Sequence, residues 1–550
     1  MENAFLRLLK DPVKFYRSAV LRRIYNNSAV LKRLRNASTI QKTFIEKLSR
    51  YKINWDTQKK NVILAQSISD YESCIKIAAV ANKLAKEQNA NIGIYSAEYF
   101  TNPKSFIGKY LSSSKVKSNL DKIGLSFAGK VLYRNNDLHN DQTEVDSVVL
   151  KIMQGLKTKK DVLAIEIENI RIGDLVYDTY LRYANKPQVD LKDPYLRTLI
   201  EQSVNIFFVC KNQIKLHHVT ALVTSYCTYI YHGIAVRLCL VNKIPVYSIG
   251  AYYSLVHKVL DIYPSHANDH FLFHKQFKQL SNGEELLKTH KPLFEKRFEG
   301  IIDSATAYMK ESAFSGEVNT ELNGIEWDKT VVILAHCFFD SPHIYRDLLF
   351  PDFYDWMIFT LDELVKQKNL TILVKQHPNG LPDNEKIFNQ LKNVPAYDKV
   401  KFIDKKTSQL QIVNSRPKAI ITAYGTAAAE FAYQGFPIIT IYDNPFTAFD
   451  FTHNANSIEE YKELLSKVMT LSAKQHQQEV IEYYYMQHFF FLKGYPSDYL
   501  DCAKYKGETS SEAFLEDYIP KMANPYFEKL DILTRKGFES IVWEEKANSL

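Results

Sequence analysis

Short apolar runs alternate with helical patterns over most of residues 60–250. The runs typical of strands are Asn61–Ala65, Asn91–Tyr95, Val162–Ile167, Asn205–Cys210, Ala221–Ser225 and Pro245–Ile249. Between them, apolar residues recur at helical spacing at about Tyr71–Glu87 and Tyr231–Val241. Strands that alternate with helices in this way predict a parallel sheet with right-handed crossover connections.

The same alternation restarts at Asp328–Ala335 and continues to about Val468, whereas residues 260–328 lack it. Two α/β units of similar size predict two facing Rossmann-like domains with the substrates in the cleft between them. The predicted division is a basic helical segment at 1–55, an N-terminal Rossmann-like domain at 56–300, a linker at 301–328, a C-terminal Rossmann-like domain at 329–472 and packing helices at 473–550.

Positive charge is concentrated at the start of the chain. Residues 1–50 hold twelve Lys or Arg and three acidic residues, so the other 500 residues of this +8 chain have a net charge of −1. Asp11 and Pro12 are typical of a helix start, and the helix that follows has an apolar face with Lys and Arg around it. It is either an interfacial helix on anionic lipid or a helix packed on the protein body. The rest of the chain is nearly neutral, so its composition does not indicate the basic surface that is typical of nucleic-acid-binding proteins.

The cysteines indicate a reducing compartment. The chain has six, none of them in a CxxC pair and most inside apolar runs, so neither a disulfide framework nor a zinc site is predicted.

No apolar run approaches 18 residues and no signal peptide is apparent. We therefore expect a cytoplasmic protein that is peripheral on the inner face of the cytoplasmic membrane.

Polar residues follow a buried strand at Leu370–Pro378, which ends in Lys375, His377 and Pro378. A cation and an imidazole at the carboxyl end of a strand suit a phosphate ester, because such sheets bind nucleotides at that edge. The alternative is a surface loop in which Lys375 and His377 have no function. We favour a donor-binding site.

A second polar turn contains Thr422, Tyr424, Gly425 and Thr426. Gly425 permits a tight turn, and Thr426 can cap the helix that follows, whose free N–H groups would face an anion. Glu430 lies one helical turn beyond and can accept hydrogen bonds from ribose hydroxyls. The alternative for Glu430 is a solvated helix charge.

The turn after the first strand of this unit, His336-Cys337-Phe338-Phe339-Asp340-Ser341-Pro342-His343, places two His and one Asp at the same edge. A metal site is conceivable from these residue types, but no regular ligand spacing supports it. We expect His336, Asp340 and His343 to contact the donor instead. Since the chain has no Asp-X-Asp motif, a metal-independent reaction without a cofactor is favoured.

Carboxylates cluster at a strand-to-helix transition in the first unit. Glu166 and Asp174 are the candidates for the catalytic carboxylate that deprotonates an acceptor hydroxyl or attacks the donor. Asp174 could instead cap its helix. The residues expected to shape an acceptor pocket are Asp178, His218, Ser225 and Tyr229.

At these residues the chain resembles bacterial capsule and surface-polysaccharide glycosyltransferases of GT-B architecture. The resemblance spans roughly residues 60–470 and rests on His336–Trp356, Val374–Pro378, Thr422–Ile439 and, more loosely, Ile167–Arg182. The His-Pro step and the Gly-Thr…Glu helix also resemble those of capsule-type transferases of Kdo, an acidic sugar carried by CMP. The resemblance implies that Lys375, His377, Thr426 and Glu430 hold the donor nucleotide and that a carboxylate of the N-terminal domain does the chemistry.

Three functions remain open at this point. The first is a glycosyltransferase that moves a sugar, Kdo or a related acidic sugar by the resemblance, from a nucleotide donor to a lipid-linked glycan. The second is a nucleotide-sugar epimerase or hydrolase, because sugar epimerases share the fold. The third is a non-catalytic polysaccharide assembly protein that docks at an anionic membrane through residues 1–50. Fold alone does not decide among them.

Overall fold

The structure is a computed structural model that describes residues 29–96, 120–249, 256–260, 270–302, 312–345, 348–377, 380, 383–490 and 512–548. The predicted helix that starts at Asp11 and Pro12 lies outside these residues, as does Pro378.

The first domain is built on a six-stranded sheet and a two-stranded hairpin. The strands are β1 (Asn61–Ser67), β2 (Asn91–Ser96), β3 (Lys130–Arg134), the hairpin β4 (Glu166–Ile167) and β5 (Ile170–Arg171), β6 (His218–Thr224), β7 (Val246–Ser248) and β8 (His257–Val259). The large sheet has the order β3-β2-β1-β6-β7-β8. All its pairings are parallel except that of β7 with β8. This is the strand order of a Rossmann fold.

Helices cover both faces of this sheet, and its central strands β1 and β2 are buried almost throughout. On β1, Leu64 faces one core, while Ile63 and Ala65 face the other. The helices on the side of Leu64 are α3 (Gln142–Gly155), α4 (Lys159–Leu163), α5 (Gly173–Ala184), α6 (Pro194–Leu216) and α7 (Ile230–Val241). Those on the other side are α1 (Ala29–Leu48), α2 (Tyr71–Glu87), α16 (Glu512–Tyr518) and α17 (Asn524–Asn548).

The second domain repeats the plan with a fully parallel sheet. Its strands are β9 (Thr330–Leu334), β10 (Thr371–Lys375), β11 (Val400–Ile403), β12 (Ala419–Ile421), β13 (Ile438–Ile441) and β14 (His453–Ala455), in the order β11-β10-β9-β12-β13-β14. One face packs on α10 (Phe353–Leu364), α11 (Asn384–Lys392) and α14 (Ile458–Ser466). The other packs on α8 (Phe273–Lys278), α9 (Gly283–Glu295), α12 (Gln409–Ser415), α13 (Ala427–Tyr433) and α15 (Gln477–His488).

Two segments pack on a domain other than the one nearest to them in the sequence. Phe273, Phe277 and Phe294 belong to the core of the second domain, although they precede the predicted boundary at residue 300. The C-terminal helices divide, since α15 packs on the second domain and α16 and α17 return to the first. The apolar periodicity of these helices does not specify which sheet they cover.

Two predicted strands are wrong. Asn205–Cys210 lies inside the 23-residue helix α6, because Asp193 caps that helix and Pro194 occupies its first turn. Val162–Ile167 is divided between α4 and the two-residue strand β4. A short apolar run is compatible with a buried helix as well as a strand, and the periodicity of such a run cannot distinguish them.

Hydrogen bonds join the two domains along helix α5. The Tyr177 hydroxyl donates to Asp352 Oδ2 over 2.6 Å, and Lys159 Nζ lies 3.2 Å from the same oxygen. Closer to the strand ends, Ser341 Oγ donates to the hydroxyl of Tyr229 over 2.6 Å. The two sheets therefore belong to domains that face one another across a cleft, and the predicted α/β fold of GT-B type is confirmed. Among the described helices, none is long and apolar enough to cross a membrane.

Candidate active site

Three neighbouring strands of the second sheet end at the cleft. The order β10-β9-β12 puts the carboxyl ends of these strands side by side, so that residues 336, 375–377 and 422–426 meet at one edge. Between β9 and β12 the strand order reverses. In doubly wound sheets the crevice at such a switch point is where ligands bind.

A cavity of about 230 Å³ occupies this position. The predicted donor-site residues that line it are Lys375, His377, Thr422, Tyr424, Gly425, Thr426, Glu430, His336 and Asp340. His343, the remaining described member of the predicted set, is not in the lining.

Lys375 brings a buried amine to the cavity. It is the last residue of β10 and only 1% exposed, and its Nζ donates to the carbonyl of Lys405 over 3.1 Å. Burial lowers the pKa of Lys375 to about 8, and Asp404 opposes this effect. An anion in the cavity would favour the charged form of this amine.

Two imidazoles lie next to Lys375. Burial lowers the pKa of His336 to about 3, and His377 adds to that shift. His336 Nε2 accepts from the Tyr424 N–H over 3.3 Å, and it lies 3.2 Å from Thr422 Oγ1. Burial also lowers the pKa of His377, which Asp340 opposes. His336 therefore fixes the backbone of the turn, while His377 remains partly exposed at the cavity.

Gly425 is required by close packing. Its φ is not positive, but a Cβ at this position would lie 2.9 Å from Thr422 Oγ1. The Gly425 N–H donates to that same oxygen over 3.2 Å. A side chain here would push apart the turn that His336 holds.

Replacing Gly425 by Ala is expected to lower the free energy of unfolding by about 1–3 kcal/mol, because the added methyl group overpacks a filled turn. Gly155→Ala is the control, since no atom outside its chain neighbours and its own helix backbone lies within 4 Å of the position of its Cβ. Urea unfolding followed by fluorescence measures both variants. Equal midpoints for the two would contradict this account of Gly425.

The start of α13 differs from the prediction. Thr426 stands at the N-cap position, but it has helical backbone angles and its hydroxyl makes no capping hydrogen bond. The Ala428 and Ala429 N–H groups bond to the carbonyls of Gly425 and Thr426. The exposed hydroxyl of Thr426 is therefore directed to solvent at the cavity and does not cap the helix.

Glu430 is buried, not solvated, and it has a cationic neighbour. Its Oε1 lies 3.5 Å from Nη1 of Arg297, and both side chains line the cavity. Arg297 is 4% exposed, and its guanidinium lies over the Tyr484 ring at 4.7 Å. No motif marks Arg297 in the sequence, because it follows α9 in a region without periodicity.

Tyr424 connects the turn to the loop after β9. It is 7% exposed, and its hydroxyl donates toward the carbonyls of Ser341 and Pro342 at 3.3 and 3.2 Å. Burial raises its pKa well above the ordinary value. Tyr424 thus holds the loop that carries Asp340 against the turn at residues 422–426.

Asp174, one of the two predicted catalytic residues, forms a buried ion pair. Arg237 Nη1 donates to Asp174 Oδ1 over 2.7 Å, and Nη2 donates to Oδ2 over 2.5 Å. Burial alone would raise the pKa of Asp174, but Arg237 lowers it to about 2. A carboxylate held in this way is a weak base, so the geometry favours a structural role.

Asp178, predicted to bind the acceptor, pairs with His343 of the other domain. Asp178 Oδ1 and His343 Nδ1 are 2.6 Å apart, and both side chains are buried. Burial raises the pKa of Asp178 to about 6, and His343 opposes this effect. The pair joins the domains next to the cavity without lining it.

Glu166 and His218 lie apart from the cavity. Glu166 is exposed on the hairpin and lines a separate surface pocket between α3 and α6. His218 is the first residue of β6, and its Nδ1 lies 3.0 Å from Asn61 Oδ1. Because β6 is parallel to its neighbours, His218 is at the amino edge of the sheet, opposite the carboxyl ends.

Ser225 and Tyr229 lie on the cleft side of the first sheet. Ser225 Oγ donates to Gln66 Oε1 over 2.5 Å, while Gln66 Nε2 lies 2.7 Å from His232 Nδ1. Tyr229 has a positive φ of 63° and accepts the interdomain hydrogen bond from Ser341. No sequence motif marks Gln66, because it lies inside the apolar strand β1. In the described part of the chain, no group of three or more His, Cys, Asp or Glu side chains could hold a metal ion.

Solved structures with a similar arrangement include sugar-modifying enzymes. The chain matches KpsC, a beta Kdo 2,4 transferase of Thermosulfurimonas dismutans, at 15% identity and a TM-score of 0.31, covering 50% of this chain and 80% of that one. It matches S. aureus MnaA, determined with UDP, at 8% identity and a TM-score of 0.22, covering 82% and 97%. For the α,α-trehalose 6-phosphate synthase of Burkholderia multivorans the identity is 8% and the TM-score 0.28, covering 82% and 100%.

These similarities are too low to assign an activity. No protein-family model matches the chain, and no curated protein sequence matches it.

Proposed function

We propose that this chain is a glycosyltransferase of bacterial surface-polysaccharide synthesis, which moves a sugar from a nucleotide donor to a lipid-linked glycan. The observation that carries the proposal is the cavity at the switch point of the second sheet, where Lys375, His377 and Arg297 converge at the carboxyl ends of the strands. Anionic phosphates are the ligands that such a group of cationic and imidazole side chains suits.

In this proposal the second domain holds the nucleotide. Lys375 and His377 lie against the phosphate that leaves with it, and they stabilise the negative charge that develops as the glycosidic bond breaks. Glu430, buried beside Arg297, accepts hydrogen bonds from the ribose hydroxyls. The first domain presents the acceptor from the side of Ser225 and Tyr229.

The finer assignments come from the sequence. An acidic sugar such as Kdo and a CMP carrier rest on the resemblance, and a reaction without metal or cofactor rests on the lack of an Asp-X-Asp motif. Docking on an anionic cytoplasmic membrane surface rests on the positive charge of residues 1–50. Most of that basic segment lies outside the described residues.

An acceptor-dependence experiment tests the proposal. The full chain is incubated with CMP-Kdo, UDP-N-acetylglucosamine or GDP-mannose, with and without lipid-linked glycan, and nucleotide release is measured. A transferase releases nucleotide much faster with the acceptor. Equal release without it would favour an epimerase or hydrolase, and the absence of any nucleotide binding would favour an assembly protein.

Lys375 predicts a pH dependence of nucleotide binding. Its pKa of about 8 lies below the ordinary 10.5, so the amine is charged at pH 7 and neutral above its own pKa. Nucleotide affinity should be full below pH 8 and fall above it, by up to about tenfold per pH unit. The phosphates do not change charge there, since their second pKa is about 6.

Calorimetric titration of UDP and CMP between pH 7 and 9.5 measures this dependence. Lys375→Met is the control, and its weaker affinity should be nearly constant over the same range. A wild-type affinity that stays constant from pH 7 to 9.5 would contradict the assignment of Lys375 to the phosphate.

A further inference from the structure

The described residues that line the cavity all belong to the second domain, and two of them carry carboxylates. Among the described lining residues, the carboxylates are Asp340 and Glu430, and both belong to the second domain. Glu430 is 8% exposed and engaged with Arg297. Asp340 is exposed, and its Oδ1 accepts a hydrogen bond from the Ser341 N–H over 3.1 Å.

The carboxylates expected from the first domain do not reach the cavity. Asp174 is occupied by Arg237, and Asp178 is 1% exposed against His343. Glu166 lines a different pocket. A group that takes a proton from a substrate must lie within hydrogen-bond reach of it, and none of these three carboxylates lines the cavity.

Asp340 lies where the two domains meet. The next residue, Ser341, donates to the Tyr229 hydroxyl of the first domain, and Tyr424 of the turn at residues 422–426 holds the same loop. The pKa of Arg182 on α5 is raised overall. Burial lowers this pKa, but nearby groups that include Tyr229 and Asp340 together raise it by more. Asp340 also opposes the lowering of the pKa of His377 by burial. The Asp340 carboxylate thus interacts electrostatically with a basic group of each domain.

We propose that Asp340 is the catalytic base of the transfer, a role that rests on the proposed glycosyltransferase function. The acceptor hydroxyl gives its proton to the Asp340 carboxylate as its oxygen bonds to the anomeric carbon of the donor sugar. The bond from that carbon to the phosphate oxygen breaks, and its electron pair leaves with the nucleotide phosphate beside Lys375 and His377. Asp340 therefore faces the acceptor, whereas the sequence motif alone suggested a contact with the donor.

Asp340→Asn tests this role, because the amide keeps the size and removes the basic oxygen. The assay is nucleotide release from CMP-Kdo, UDP-N-acetylglucosamine and GDP-mannose with lipid-linked glycan, together with thermal stabilisation by CMP, UDP and GDP. The expected result is a loss of kcat of about 10²- to 10⁴-fold, with stabilisation by the nucleotide unchanged. Asp340→Ser, whose hydroxyl can accept the same N–H group, should show the same loss.

The matched control is Asp328→Asn, an exposed carboxylate before the amino end of β9. It should keep the wild-type kcat. A kcat of Asp340→Asn above one tenth of the wild-type value would overturn the inference, and so would an equal loss of nucleotide stabilisation, which would make Asp340 a donor-binding residue. If the wild-type chain neither binds nucleotide nor releases it, the glycosyltransferase function itself fails, and the inference fails with it.

Discussion

Replacing His377 by Ala should lower kcat for sugar transfer by about 10²- to 10³-fold, the usual effect of removing one preorganised group that stabilises developing charge. His377 lies just beyond β10 and lines the cavity next to the amine of Lys375. Because the imidazole is partly exposed and follows the strand, its loss should leave the fold intact. Steady-state kinetics with the nucleotide sugar that best stabilises the chain, compared with the circular dichroism of the variant, measures both effects.

His453→Ala is the matched control for this substitution. His453 belongs to the same sheet but begins β14 at the opposite edge, where its Nε2 lies 2.8 Å from the carbonyl of Ser472. The control should keep the wild-type kcat. Full activity of His377→Ala would contradict the position assigned to the leaving phosphate.

Replacing Asp174 by Ala should destabilise the first domain by about 3–5 kcal/mol, because it leaves a buried guanidinium without its carboxylate. Arg237 is 2% exposed and donates two hydrogen bonds to Asp174. The loss should appear as a lower midpoint of urea unfolding.

The Asp174–Arg237 pair also makes the free energy of unfolding depend on pH. The folded-state pKa of Asp174 is about 2, below the ordinary 3.8, so its contribution is full above pH 4 and is lost as the pH falls toward 2.

A double-mutant cycle identifies the origin of that loss. Asp174→Ala combined with Arg237→Met removes both charges, and the double variant should be more stable than Asp174→Ala alone. If Asp174→Ala unfolds at the wild-type midpoint and loses only activity, Asp174 is a catalytic carboxylate and not a structural one.

The fold was predictable because its signals are local. Strands such as β1 and β10 are short apolar runs with polar ends, and helix α2 has the bounds that its periodicity predicts. The turn at residues 422–426 is marked by small and hydroxylated residues between a strand and a helix. Positions at the carboxyl ends of β9, β10 and β12 could then be assigned to one site, because parallel strands end at one edge.

What the sequence could not show depends on contacts between distant residues. Arg237 neutralises Asp174 from 63 positions away, and His343 meets Asp178 across 165 positions. No local pattern records such pairs, so the sequence left a catalytic carboxylate and a helix cap as the interpretations of Asp174. Arg297 reaches Glu430 from 133 positions away, and its role was missed for the same reason.

The central claim is that the cavity at the switch point holds a nucleotide. Thermal unfolding of the full chain with CMP, UDP, GDP and their sugars tests it most directly, because a ligand that binds the folded state raises the midpoint with its concentration relative to Kd. The account predicts that one base stands out in the wild type and that His377→Ala reduces or abolishes the shift for its nucleotide sugar. No shift with any nucleotide, or an identical shift in wild type, Lys375→Met and His377→Ala, would contradict it.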